Sequence, residues 1–185
     1  MNLRKMIVPL LAVAFVLAGC QNAQKISADA AIASAKTAFG PVKDLSEKYV
    51  PEQTAAVESS ITAAQTAYNN GDYAGALTAA KALPGQISDL ATAAKAKKDE
   101  LTAQWTSLSS SLPGLMTAVS GKASQLAAAH KLPASANDQL TSAKSLWDTA
   151  TAAFSSGDLN TAVSDGNSVK DKLTSLAALL HVKTT

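Results

Sequence analysis

Apolar residues recur at intervals of three and four along almost the whole chain, which is the spacing of one face of an α-helix. The series Val57, Ile61, Ala64 and Tyr68 shows the pattern. No stretch of the sequence alternates apolar and polar residues as a half-buried strand would. The pattern therefore predicts an all-α fold built from six helices.

Proline and glycine interrupt the helical pattern and predict where the helices end. Proline has no backbone N–H to donate, and glycine permits the left-handed turn that often closes a helix before an Asp cap. We expect a kink or break at Pro84 as well, and we read Ser109 to Ser111 as a fraying helix end. The breaks are predicted at Pro51, Gly71-Asp72, Pro113-Gly114, Pro133 and Gly157-Asp158.

The chain contains an internal duplication in which equivalent residues lie 86 positions apart. The segment Ala67-Tyr68-Asn69-Asn70-Gly71-Asp72 returns as Ala153-Phe154-Ser155-Ser156-Gly157-Asp158. Apolar character is preserved in both directions while polar positions diverge, as expected of two copies that share a packing scheme. Each copy predicts a helical hairpin in which Gly-Asp forms the turn and Ala76 or Ala162 lets the returning helix approach.

A third helix precedes each hairpin, and it ends near Tyr49-Val50-Pro51 in the first copy and near Lys131-Leu132-Pro133 in the second. The sequence thus predicts a helical bundle, or a short array of helical hairpins, made of two related three-helix units joined by a long connector helix. The predicted boundaries are 27–95 for the first unit, 96–112 for the connector helix, 113–181 for the second unit and 182–185 for a tail.

The amino terminus has the order of regions found in export signals. Arg4 and Lys5 precede an uncharged apolar run over residues 6–17, which is too short to cross a hydrocarbon core of roughly 30 Å. The run ends in Leu17-Ala18-Gly19-Cys20, which resembles the lipobox of bacterial lipoproteins. That resemblance implies cleavage after a signal peptide of residues 1–19, a diacylglyceryl group on the Cys20 thiol and a second acylation on its new amino group. Residues 20–26 then form a polar tether.

Cys20 is the single cysteine of the chain, so an exported protein would otherwise carry an unpaired thiol. The alternative is an ordinary secretory signal followed by an incidental cysteine. Acyl chains contribute about 0.8 kcal/mol per buried methylene, and two signals of this kind suffice for stable anchoring. Gln21 stands where lipoproteins kept in an inner membrane often have Asp. This favours the outer membrane, facing the periplasm, if the cell has two membranes.

The hairpin turn has a second resemblance. The segment from Ala67 to Leu77 resembles the turn between the two helices of a tetratricopeptide repeat, a family whose members form protein-binding superhelices. The units here recur after 86 residues rather than after the family's usual period of about 34. Ser60 and Ala64 take the places of the large residue and the glycine that the family has in its first helix.

Charge and residue chemistry limit the functions that we expect. Removing residues 1–19 lowers the number of Lys and Arg from 16 to 14, against 14 Asp and Glu. The processed chain is therefore formally neutral, and we expect no nucleic-acid partner. His130 and His181 lie near helix ends without the spacing of a metal motif. We predict no catalytic residue, no metal site and no cofactor.

Two further groups of residues are predicted to have structural roles. Asp89, Asp99 and Glu100 lie among Lys95, Lys97 and Lys98, as on a solvated helix face with local ion pairs. Trp105 and Trp147 each lie on the apolar stripe of a helix, which favours a place in the core; the alternative is a surface that stacks on a ligand or partner.

These observations lead to one main expectation and two alternatives. The main expectation is a non-catalytic cell-envelope protein, anchored in the membrane through acyl chains on Cys20, with a structural role or with an envelope protein or peptidoglycan as its partner. One alternative is a carrier or sensor that binds a small apolar ligand between its helices. The other is an enzyme that uses scattered carboxylates.

Overall fold

The computed structural model describes residues 4–182, and it describes side chains from Asn22 onward. Its helices are α1 (Arg4–Tyr49), α2 (Pro51–Asn69), α3 (Tyr73–Ala128), α4 (Ala136–Ser155) and α5 (Leu159–Leu179). Residues 4–182 contain no strand, so the predicted all-α class is confirmed. In that same range, we find no helix with both the length and the apolar character needed to cross a membrane.

The helices form two compact units, Met1–Ala96 and Lys97–Thr185. The first unit contains α1, α2 and the beginning of α3, and the second contains the rest of α3, α4 and α5. Each unit therefore contains three helical segments. The segment 96–112, predicted to be a connector helix, lies inside α3.

The prediction of six helices is wrong, because α3 continues through both Pro84 and Pro113-Gly114. Leu108, Leu112 and Val119 are buried on either side of Pro113, and their spacing stays in helical phase across it. A proline inside a helix costs about 3 kcal/mol. Burial of each Leu or Val side chain contributes about 2 kcal/mol to stability. A break at Pro113 that exposed these three side chains to solvent would therefore cost more free energy than the proline does.

The structure also differs from the predictions of a fraying helix end and of a tether. Ser109 to Ser111 are not a fraying helix end, since they lie inside α3, where the Ser111 hydroxyl donates a hydrogen bond to the Ser107 carbonyl at 2.9 Å. The described part of the expected tether, residues 22–26, is helical and belongs to α1. Of the expected tail, Val182 follows α5, and residues 183–185 lie outside the described residues.

Both predicted hairpins are confirmed, and their turns have the same geometry. Gly71 and Gly157 have φ angles of 83° and 80°, and the following Asp N–H donates to the carbonyl of Ala67 at 3.0 Å or of Ala153 at 2.8 Å. This is the hydrogen-bond pattern of a left-handed helix cap. The Asp72 carboxylate then accepts a hydrogen bond from the Gly75 N–H at 2.8 Å, which caps the start of α3.

The core of the first unit is formed by the apolar stripes of its three helical segments. Ser46 and Thr54 are polar but buried, and their hydroxyls donate to the carbonyls of Val42 and Val50 at 3.0 Å, so neither is unsatisfied. The apolar residues of this core are Ala28, Ile32, Ala35, Phe39, Val57, Ile61, Ala64, Ala76, Ala80, Leu83, Ile87 and Leu90.

An ion pair joins α1 to α2 at the surface of the first unit. The Lys43 ammonium lies 2.6 Å from a Glu58 carboxylate oxygen and 3.4 Å from one of Glu47. The hydrogen bond that the ammonium donates to Glu58, together with the negative charges of both glutamates, raises the pKa of Lys43. The pair is solvent-exposed, so its contribution to stability is small.

In the second unit, Gly166 of α5 lies against Leu108 of α3. A Cβ placed on Gly166 would lie 2.9 Å from Leu108 Cδ1, which is closer than an undisturbed side chain permits. Ala80 lies at the equivalent position of the first unit, 86 residues earlier. Because glycine has no side chain, Gly166 leaves room for the Leu108 side chain that lies opposite it.

Candidate functional site

Cys20, the one functional residue predicted from the sequence, lies within the range of α1, but its side chain is outside the described part of the chain. The same holds for the rest of the lipobox, and lipidation therefore stays a prediction. Among the described side chains, residues 22–27 are all exposed and Ala28 is the first that is buried. The helix thus connects the predicted anchor to the core of the first unit within a few turns.

Lys25 and Ile26 lie in the part of α1 that closely follows Cys20, and Lys25 lies beside Tyr73 at the α2–α3 turn. We define Lys25, Ile26, Tyr68 and Tyr73 as the proximal end of the first unit, the end near Cys20. The rings of Tyr68 and Tyr73 meet edge to face, with centroids 5.3 Å apart. The Lys25 ammonium lies 5.8 Å from the centroid of Tyr73, within the range of a cation–π interaction. Ile26 is 65% exposed, although it is a large apolar residue.

The second unit has an aromatic cluster, which we define as Trp105, Trp147 and Phe154. Trp105 stacks on Trp147 with centroids 5.4 Å apart and on Phe154 with centroids 4.9 Å apart, both within the favourable range for aromatic pairs. Trp105 is buried, which confirms its predicted core role, and Trp147 is half-buried. Phe154 is 41% exposed, so the cluster reaches the surface.

Sequence reasoning missed both groupings, although part of the signal was present. Trp147 and Phe154 are seven residues apart, so they share one face of α4 two turns apart. Trp105 lies on another helix, and no local spacing indicates that it stacks between them. At the proximal end, the sequence predicts a tether over residues 20–26 and gives no signal that Lys25 meets the Tyr73 ring.

The histidines and the charged residues of α3 have the structural roles predicted for them. His130 and His181 have φ angles of 52° and 54° and occupy the left-handed position that closes α3 and α5. The Lys97 ammonium lies 3.0 Å from a carboxylate oxygen of Glu100, which confirms a local ion pair. The described residues include no group of three or more His, Cys, Asp or Glu side chains that could hold a metal ion.

The surface of each unit has a groove. One has a volume of about 320 Å³ and runs between α2 and α3 in the first unit. The other, of about 450 Å³, lies beside the end of α5 in the second unit. The first groove is lined by Gln53, Ala56, Val57, Ser60, Gln86, Asp89 and Leu90. The second is lined by Thr117, Ala118, Gly121, Lys122, Gln125, His181 and Val182.

Comparisons with protein-family models, with curated proteins and with solved structures give no match to this chain. The likeness of the hairpin turns to tetratricopeptide repeats is therefore confined to local geometry.

Proposed function

We propose that this chain is a non-catalytic protein of the cell envelope, anchored in the membrane by acyl chains on Cys20. The observation that carries the proposal is the placement of the single cysteine at the end of a lipobox, after a charged and then an apolar region in the order of an export signal. Acylation accounts for a thiol that has no disulfide partner. The helical units would then be the part that works outside the cytoplasm.

The anchor is tested by the mass of the amino-terminal peptide of the protein isolated from membranes. We expect a peptide that begins at Cys20 and carries the mass of its acyl chains. The variant Cys20→Ser should give no acylated peptide, and the molecules that lose residues 1–19 at another site should leave the membrane fraction. An unmodified Cys20 in membrane-extracted protein would refute the proposal.

The proposed membrane is tested by one substitution next to the anchor. Gln21 favours the outer membrane, and Gln21→Asp should shift the acylated protein to the inner membrane of a cell that has two. Gln21→Asn keeps the size of the new side chain without its charge and serves as the control. An unmodified chain found in the inner membrane would remove the outer-membrane assignment and leave the anchor untouched. An unchanged distribution of Gln21→Asp between the separated membranes would show that residue 21 does not determine the membrane.

We further propose that the helical units contribute to envelope structure or bind an envelope protein or peptidoglycan. The exposed ring of Phe154 supports this role, because it is 41% exposed and stacked 4.9 Å from buried Trp105. Rigid aromatic side chains of this kind are common at the centres of protein interfaces. The preorganised stack lowers the entropy that binding would cost.

Crosslinking in intact cells, followed by extraction of the acylated protein, tests the interaction. We expect Phe154→Ala to lose a specific crosslinked partner that the unmodified chain retains. Leu179→Ala is the matched control, because Leu179 is 44% exposed in the same unit but lies outside the aromatic cluster. Crosslinked products that are the same for both variants would argue against a role of the cluster in binding.

A second candidate function is a carrier or sensor for a small apolar ligand. It is favoured by the groove of about 320 Å³ between α2 and α3, where Val57 and Leu90 contribute apolar side chains. Native mass spectrometry after mild extraction distinguishes this candidate. A carrier should retain a ligand whose amount falls in Ala56→Asp, a substitution at an exposed position of the groove, whereas protein that is always free of ligand would exclude it.

A further inference from the structure

We propose that the proximal end of the first unit lies against the lipid surface in which Cys20 is anchored. This inference rests on the proposed function, since it requires an acylated Cys20. It adds a second contact with the membrane, made by the folded protein itself. The proximal end is the set Lys25, Ile26, Tyr68 and Tyr73 defined above.

The first argument is distance. Cys20 and Ile26 lie on the same helix, α1, and six residues of helix span about 9 Å. The headgroup layer on each side of a bilayer is about 5 to 8 Å thick. An acyl chain on Cys20 holds that residue at the inner boundary of this layer, so Ile26 is placed within the layer or at its outer edge.

The second argument is the chemistry of the side chains that are placed there. Ile26 is 65% exposed, and an apolar side chain of its size gains free energy when it leaves water. Tyr68 and Tyr73 are half-buried and meet edge to face. Tyrosine favours membrane interfaces because its ring is apolar and its hydroxyl stays hydrated.

The charged residues at the proximal end indicate what kind of contact it makes with the lipid surface. Lys25 is accompanied by the exposed carboxylates of Asp29 and Asp72, so the end carries no net positive charge that would attract anionic lipid. The contact is therefore apolar and interfacial, and it should persist at a salt concentration that screens surface charge.

A fluorescent probe on an introduced cysteine tests the inference in the full acylated chain. Once Cys20 is acylated, Ile26→Cys provides the only free thiol, and a polarity-sensitive dye on it reports entry into the interface. On vesicles of phosphatidylethanolamine and phosphatidylglycerol, we expect its emission to rise roughly threefold as the dye leaves water. Brominated lipids should quench it, and high salt should leave the emission unchanged.

Leu45→Cys is the matched control. Leu45 is another exposed aliphatic residue of α1, with 37% exposure, and it lies about 38 Å along the helix from Cys20. Its probe should show no change on the same vesicles. Equal emission with and without vesicles at position 26, or an equal rise at both positions, would overturn the inference. Melting curves of both labelled variants verify that they are folded.

The mass of the amino-terminal peptide, measured on the same samples, separates this inference from the proposed function. Acylated protein that floats with the vesicles and shows no signal at position 26 removes the surface contact and leaves the anchor intact. An unacylated Cys20 would remove both the surface contact and the anchor.

Discussion

The described residues with a positive φ angle all lie at the carboxyl ends of helices: Gly71, Gly157, His130 and His181. Glycine adopts this conformation without strain, whereas an L-residue with a side chain pays about 1 to 2 kcal/mol for it. The two hairpin turns therefore have the residue that their backbone requires. The ends of α3 and α5 instead have His130 and His181, which adopt this conformation with strain.

We expect His130→Gly to stabilise the protein by about 0.5 to 1 kcal/mol. The substitution removes the strain of the left-handed conformation, and part of this gain is lost to the greater entropy of glycine in the unfolded chain. Equilibrium unfolding in urea measures the difference. Ala129→Gly, one residue earlier, is the control and should be neutral or destabilising. A loss of stability in His130→Gly would show that the imidazole has a stabilising role of its own.

Gly71→Ala should have the opposite effect and destabilise the protein by about 1 kcal/mol. A Cβ at Gly71 would meet no atom within 4 Å, so the expected cost comes from its φ angle of 83° and not from crowding. Gly85→Ala makes the same chemical change at a helical position of α3 that is equally open. There the alanine should stabilise the helix by about 0.5 to 1 kcal/mol. Two effects of the same sign would contradict this account of the turn.

At the scale of elements, the turns and stripes could be predicted from the sequence because their signals are local. The paired Gly71-Asp72 and Gly157-Asp158, together with the three- and four-residue spacing, indicate both hairpins. The continuity of α3 could not be predicted from the proline itself, since it depends on side chains that pack on either side of it. The meeting of Trp105 with Trp147 is likewise a contact between helices, and no local pattern encodes it.

Pro113→Ala tests whether tertiary packing holds α3 together across its proline. The alanine restores an N–H that can donate to the Ser109 carbonyl, and we expect stabilisation of about 1 to 3 kcal/mol. Pro51→Ala is the control, because Pro51 begins α2, where a missing N–H costs no helical bond. Its unfolding free energy should change little. Equal shifts in the two variants would mean that Pro113 imposes no strain on α3.

At the scale of the whole molecule, the duplication relates two units that share a helical pattern but have different side chains at some equivalent positions. Tyr68 at the end of α2 becomes Phe154 at the end of α4, and Ile61 becomes Trp147. These exchanges give the second unit its aromatic cluster and leave the first with the tyrosine pair beside Lys25. From that difference we propose separate roles: the tyrosine pair of the first unit at a lipid surface, and the aromatic cluster of the second in binding a partner.

The pair Leu90 and Leu176 tests whether each unit depends on its own core. The two residues are equivalent under the 86-residue spacing, and both are almost completely buried. Leu90→Ala and Leu176→Ala should each cost about 2 to 5 kcal/mol, because each leaves a cavity that the surrounding helices fill only in part. The loss of stability should be concentrated in the unit that contains the substitution, since the boundary between the two units lies between Ala96 and Lys97.

Amide hydrogen exchange resolved along the chain measures where protection is lost. In Leu90→Ala, exchange should accelerate in α2 and in the part of α3 before Lys97, while α4 and α5 keep their protection. In Leu176→Ala the affected and protected helices should be reversed. Because α3 contributes to both cores, it provides an internal comparison, with its two parts responding to different substitutions. Uniform loss of protection along all of α3 in both variants would show that the two units unfold as one.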